Sequence, residues 1–458
     1  MTSTLPVALA LALCVGLLAA SSPVLAEPGG PPSSDVPAIP HERYTLPNGL
    51  EVILHKDSTV PLVAVDVWYH VGSGCEEPGR SGFAHLFEHM MFQGARHIGE
   101  DVHFDVLREV GASSINGSTT RDRTNYFEVV PSHQLETALW LESDRMGYLL
   151  DMLNDASFAN QRDVVRNERR QNYDTRAYGQ ARFVIAAELY PEGHPYRYLT
   201  IGRHEDLEAA TVADVTAFFK QWYVPSNATL TIAGDFDVEA TRALINKWFG
   251  SFPALPRPSV EGPAPPSLAT TVRVELDDPF AKLTRVEYVW LSPKMLGEGD
   301  QTLDLLADVL GASGWGRLDK LLVTDKQLAR SVSVYQSGAG FNGELHVAVN
   351  LAPSANLAEV EGLLQAELDR VMAEPVDAAQ LTTAVNAIES GYVWGLESVL
   401  RRAEQLQFFN HFKGDPGWTS TYIERYRAVT PAMIQQVAKE VLSRPRVEVI
   451  SKPAGGAR

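Results

Sequence analysis

The chain has 458 residues, too many for one ordinary hydrophobic core, so two domains of roughly 200 residues each are expected. Hydrophobic residues make up 45% and charged residues 21%, the balance of a globular protein. A formal net charge of −18 argues against a nucleic-acid binder, which would show a basic face, and against an anionic membrane surface as partner.

Residues 1–26, "MTSTLPVALALALCVGLLAASSPVLA", hold an apolar run of 16 residues from Leu5 to Ala20, then small residues and a Val24-Leu25-Ala26 end. This reads as an export signal cleaved before Glu27, although no Lys or Arg precedes the run. The run is shorter than the ~20 residues a spanning helix needs, and no later stretch reaches that length, so no stable membrane span is expected in the mature form. Leu13 is a poor fit to the small residue that precedes a lipid-anchored cysteine at Cys14. A bacterial protein exported to the periplasm or secreted is expected, with Cys75 the only cysteine after cleavage and therefore no internal disulfide.

Residues 27–40 are rich in Pro, Gly and Ser and read as a flexible leader. From 41 the chain turns regular: an Asn48-Gly49 turn joins extended segments, and "PLVAVDVWYHV" (61–71) alternates as a half-buried strand would. Helical patterns follow at 81–94 and at 102–111, the latter stopped by Gly111. A turn and then a strand are expected in 115–131, longer helices at 133–151, 157–175 and 211–223, and a strand within 227–237. This order lacks a regular βαβ alternation and favours α+β.

"FPALPRPSVEGPAPPS" (252–267) is the densest proline stretch and the expected linker between domains spanning 41–251 and 268–458. Beyond it the element types repeat in outline. "LTRVEYVWLS" (283–292) parallels the earlier valine-rich strand, "QTLDLLADVLG" (301–311) takes the place of the first helix, and "VEVIS" (447–451) is extended near the chain end.

Only the first half carries "SGFAHLFEHMMFQGA" (81–95). On a helix His85, Glu88 and His89 project from one face. Two imidazoles four residues apart can hold one Zn²⁺, and a glutamate beside the metal is placed to take a proton from the attacking water. A lone histidine on an apolar face is more often a core residue, but the His-x-x-Glu-His string matches the inverted zinc-peptidase signature. A catalytic zinc needs a third protein ligand. In "NQRDVVRNERRQNYDTRAYG" (160–179), Val164 and Val165 imply a core face with Glu168 on the same side. Glu168 is the expected ligand, with Glu100 and Glu128 as competitors of the same chemical type. By itself its "RNERR" setting would read as a solvated charge. Cys75 has no base beside it, and His70 and His194 read as structural hydrogen-bonders.

At these residues the chain resembles the pitrilysin family of zinc metallopeptidases, which includes insulin-degrading enzyme and mitochondrial processing peptidase. "RYTLPNGLEVILHKDSTVPLVAVDVWYHVGSG", "GFAHLFEHMMFQGA", "INGSTTRDRTNYFEVVP", "VVRNERRQNYD", "HPYRYLTIG" and "NATLTIAGDFD" look like family landmarks in family order across 41–240. The resemblance implies two similar α+β domains, each a mainly antiparallel sheet packed with helices, forming half of a clamshell chamber. It implies Zn²⁺ on His85, His89 and Glu168, Glu88 as general base, and Asn116, Gly117 and Ser118 on an edge strand that binds a peptide substrate by strand addition.

Two departures stand out. The family often has a glutamate seven residues before the third ligand, where this chain has Gln161. Larger relatives place an Arg and a Tyr near the substrate carbonyl; in "LLVTDKQLARSV" (321–332) those positions are Val323 and Arg330. The mismatch implies a dimer, either with a second copy or with a paralogue lacking the zinc motif. The leading expectation is a zinc endopeptidase acting on peptides or unfolded segments. Its rivals are a non-catalytic peptide-binding or scaffold subunit and a non-hydrolytic metal-binding protein.

Overall fold

The computed structural model describes residues 37–455; the segment expected to be an export signal and most of the expected leader lie outside them. The chain opens with β1 (Glu42–Thr45), β2 (Glu51–Lys56) and β3 (Leu62–Tyr69), then α1 (Phe83–Met90) and α2 (Val102–Glu109). The hairpin β4 (Ser113–Thr119) and β5 (Thr124–Pro131) follows, then α3 (Leu135–Tyr148), α4 (Asp155–Arg169), α5 (Gly179–Leu189), α6 (His204–Ala209) and α7 (Val212–Trp222). Strand β6 (Ala228–Gly234) and helix α8 (Val238–Phe249) close this half. Residues 253–271 contain no helix or strand.

The second half runs β7 (Val272–Asp278), β8 (Arg285–Ser292), α9 (Asp300–Gly311), α10 (Arg317–Asp319), β9 (Ala329–Ser337) and β10 (Gly343–Leu351). It continues through α11 (Leu357–Ala373), α12 (Ala378–Gly395), α13 (Val399–Lys413), α14 (Thr419–Arg427) and α15 (Pro431–Leu442) to β11 (Val447–Pro453).

The first sheet has the order β1-β2-β6-β3-β5-β4 and the second β7-β11-β8-β10-β9. In each sheet one pair is parallel, β2 with β6 and β7 with β11, and the other pairs are antiparallel. The orders superimpose strand for strand once β1 is set aside, so the fold is α+β with two similar, mainly antiparallel sheets. Each has its own apolar cluster.

Three sequence expectations change. The strand at 61–71 is buried on both faces from Val63 to Tyr69, not on one. Its second face is covered by α13 from the other half, where Val399 and Ala403 pack on Ala64, Val129 and Ala233. Gln407 seats that helix by donating to the carbonyls of Asp66 (3.0 Å) and Thr229 (2.8 Å). The exchange is reciprocal: Ala181, Ile185 and Leu189 of α5 pack on Val289, Val447 and Val449 of the second sheet. Residues 115–131 form a hairpin rather than a turn and a strand. The helix expected at 157–175 starts at Asp155, because Asn154 caps it by accepting from the amides of Ala156 and Ser157. It ends in a π-helical turn, Arg170–Asp174.

Candidate metal centre and peptide edge

Helix α1 is preceded by Gly82, whose left-handed φ of +89° and close approach to Gly202 exclude a side chain. The amides of Gly82 and Ala84 donate to the Glu76 carboxyl (3.0 and 2.8 Å), which burial pushes up to about 8. Phe83, Leu86, Phe87 and Met90 sink into the first core. That apolar stripe fixes the helix rotation and turns His85, Glu88 and His89 the other way.

Helix α4 lies beside α1. Its buried stripe is Phe158, Gln161 and Val165, and Glu168 continues it. Val164, expected to share that core face, is 39% exposed, because the buried stripe of α4 runs through Phe158, Gln161 and Val165 and leaves Val164 beside it. The Oε2 of Glu168 lies 3.6 Å from His85 Nε2 and 3.5 Å from His89 Nε2. The potential donor atoms of the three residues all fall within 4.8 Å of one another. Glu100 joins no such group among the described residues, and Glu128 sits elsewhere, with His103 and Glu142.

Electrostatics favour a cation here. Burial, helped by the neighbouring His89, lowers His85 to about 4, so its imidazole is neutral and free to ligate. A hydrogen bond with His89 holds the Glu168 carboxyl low. Burial opposes charging of His89, but Glu168 and Glu88 outweigh it and raise it, so the surroundings of this ring favour positive charge. His89 Nδ1 is held at 3.3 Å by Gln161 Oε1, and Asn172 Nδ2 donates to Glu168 Oε1 at 3.3 Å. These outer contacts orient the donors, and two imidazoles with one carboxylate suit zinc.

Glu88 is 9% exposed and accepts a 2.6 Å hydrogen bond from Thr119 Oγ1. Burial raises its carboxyl and the Thr119 bond opposes the rise. Thr119 ends β4, the outermost strand of the first sheet. At Gly117 of that strand a Cβ would stand 3.1 Å from both Cγ and Oε1 of Glu88, so a side chain there would crowd that carboxyl. Asn116 Oδ1 accepts from the Gly117 amide (2.9 Å), while Ser118 is tied to Asn125 (2.7 Å) and to Arg123. Gly117 is thus beside Glu88, whereas the side chains of Asn116 and Ser118 are engaged within the hairpin.

Sequence reasoning missed Thr119 and Asn172 and saw Gln161 only as a departure. A threonine two residues after a glycine in a strand carries no signal of its own; its contact with Glu88 exists only once β4 lies beside α1. Val323 packs against the second core and Arg330 is exposed on β9. Cys75 is free, and burial pushes its thiol up to about 11, which fits no nucleophilic role. His194 caps the turn at Tyr196 (3.0 Å), and His70 bonds Thr229 and His411.

Fold and site together define an α+β protein of two matching sheets in which two histidines of the His-x-x-Glu-His helix α1 meet a carboxylate from α4. Residues 51–183 match the family described as Insulinase (Peptidase family M16), and residues 209–388 match its companion, Peptidase M16 inactive domain. The chain belongs to the insulinase family of peptidases.

Among its relatives, the zinc protease PqqE of Helicobacter pylori is 32% identical over 300 residues, 63% of this chain and 65% of that protein. The chain therefore matches just under two thirds of that relative's length. The uncharacterized zinc protease YmxG of Bacillus subtilis is 24% identical over 430 residues, 90% of this chain and 98% of that one. Among solved structures, a protease from Helicobacter pylori superimposes with a TM-score of 0.85 at 24% identity, covering 91% of this chain and all of that one. The first half of the periplasmic protease PqqL from Escherichia coli gives 0.72 at 17% identity, over 91% and 93% of the two chains.

Proposed function

We propose that this chain is a zinc-dependent endopeptidase that hydrolyses peptides or unfolded segments. The observation that carries the reading is the convergence of His85, His89 and Glu168 within 4.8 Å, beside a glutamate tied to the edge strand. Zinc, when bound by those three side chains, supplies a Lewis acid for the attacking water and the scissile carbonyl. Glu88 takes the proton from the water and delivers it to the leaving amine. Thr119 holds that carboxylate in place, and the β4 edge at Asn116, Gly117 and Ser118 receives the peptide backbone as an added strand. Replacing Glu88 with Gln is expected to abolish chelator-sensitive cleavage of a peptide library while zinc stays bound; unchanged turnover sinks the assignment.

Separate apolar clusters in the two halves and the structureless stretch between α8 and β7 support domains at 41–251 and 268–458 joined by 252–267. The Val323 and Arg330 mismatch supports a dimer, with a second copy or with a paralogue lacking the zinc motif, that closes a clamshell chamber. Light scattering alone and with candidate paralogues tests this; full activity from a strict monomer defeats it. The N-terminal apolar run supports export to the periplasm or medium. A second reading, a non-catalytic peptide-binding subunit, draws on the match of 209–388 to an inactive domain; it predicts bound peptide and no cleavage.

A further inference from the structure

A cavity of about 790 Å³ opens between the two halves next to the metal centre. Its contiguity with the site is covalent on one side: Thr119, which holds Glu88, is followed directly by Thr120, Arg121 and Asp122 in the cavity wall. On the other side Asn172 lines the cavity and donates to Glu168. A peptide laid along β4 advances about 3.3 Å per residue. Side chains a few residues from the bond being cut therefore reach the cavity.

The wall carries four arginines, Arg121, Arg176, Arg182 and Arg285, in a chain of net charge −18. Its three carboxyls are all engaged. Glu344 meets Arg121 (2.6 Å), His346 (3.0 Å) and Tyr190 (2.7 Å). Glu287 meets Arg285 and His346 (3.2 Å each), and Asp122 accepts from Tyr196 (2.7 Å) and the Gly340 amide (3.0 Å). Arg176 and Arg182 are different. Both are exposed, and neither forms an ion pair or a side-chain hydrogen bond among the described residues; Arg182 lies over the Tyr173 ring at 5.0 Å. Their segment is also anchored: Tyr178, at a left-handed φ of +65°, is pinned to the second half by Asp278 (2.6 Å) and the Leu283 carbonyl (2.9 Å). The uncommitted charges facing this cavity are cations, Arg176 on the anchored loop and Arg182 in the first turn of α5, and a guanidinium fork matches a carboxylate.

We propose that this cavity is a specificity site for acidic side chains of the peptide, with Arg176 and Arg182 as the residues that receive an Asp or Glu near the scissile bond. This rests on the peptidase reading only for the word "scissile"; the recognition itself is a binding event. The chain's overall negative charge repels acidic peptides, so a preference for them has to come from these local cations and weakens as salt rises.

The test uses the full chain carrying Glu88→Gln and fluorescent peptides that differ only in a Glu, Gln or Lys pair, read by anisotropy at low and high salt. The Glu peptide is expected to bind about tenfold tighter than the Gln peptide, as charge-assisted bonds to two arginines predict. Adding R176A and R182A brings the ratio near one, and R176E with R182E inverts it in favour of the Lys peptide. Equal binding of the Glu and Gln peptides, no binding of any, or a Glu preference that survives charge reversal overturns the proposal. Failure of the unmutated enzyme to cleave any peptide defeats the peptidase reading instead, and the binding comparison still decides this one.

Discussion

Helices α1 and α9 follow corresponding strands, β3 and β8, in two sheets of the same order. Both bury an apolar stripe: Leu86, Phe87 and Met90 in the first, Leu303, Leu306 and Leu310 in the second. They differ in what stands on the remaining face. Where α1 has histidines and a glutamate, α9 has Asp300, Asp304 and Asp308. That face of α1 meets α4 and β4, whereas α9 is closed over by α12, α14 and α15. Asp304 accepts from Tyr426 (2.7 Å) and Asp300 from the Leu296 amide (2.8 Å), and burial pushes the two carboxyls up to about 7 and about 6. The same architectural slot therefore holds a histidine–glutamate cluster in one half and a hydrogen-bonded acid in the other. The fold requires only the apolar stripe, and the chemistry of the other face is free to diverge.

The comparison breaks most sharply at Glu88. Glu88→Gln should lower peptide cleavage by roughly 10²–10⁴-fold, the usual contribution of a general base, with zinc content unchanged by metal analysis. If activity persists, α1 is no more catalytic than α9. Next, Gln161→Ala removes the bond to His89 Nδ1 and is expected to weaken zinc binding by roughly 10–100-fold in a competitive chelator titration.

Smaller effects sharpen it further. Thr119→Val deletes the bond that offsets the rise in the Glu88 carboxyl caused by burial, so the base ionises at higher pH. The acidic limb of kcat/KM moves up in pH, with a loss of about three- to tenfold on that limb, and Thr119→Ser restores it. Smallest is Asp304→Asn in α9. Its acid has a folded value of about 7 against 3.8 ordinarily, so the native state holds the proton more tightly. The resulting stabilisation is full below pH 3.8 and is lost as pH rises through about 7. The variant's Tm should fall less than the parent's between those limits, measured by calorimetry, with metal content untouched.

Much of the site was readable from the chain because it is local. His85, Glu88 and His89 lie within two turns of one helix, and helical periodicity alone puts them on one face. Glu168 was reachable in the same way, by following the apolar stripe of α4, although of the two valines taken to mark the core face only Val165 is buried. The repeat of strand, helix and late strand in the second half was visible as element types and became the matching sheet orders.

What only the tertiary structure decided are the contacts between segments distant in sequence. The closed outer face of β3 depends on α13 crossing from the other half, and the close approach of Gly117 and Thr119 to Glu88 depends on which strand takes the sheet edge. The arginine-lined cavity exists only because the β4–β5 hairpin, the loop before α5 and the second sheet meet. Periodicity reports how one segment divides its own surface between water and core. It carries no information about which other segment supplies that core, and for this protein that choice sets the surroundings of the His85, His89 and Glu168 cluster.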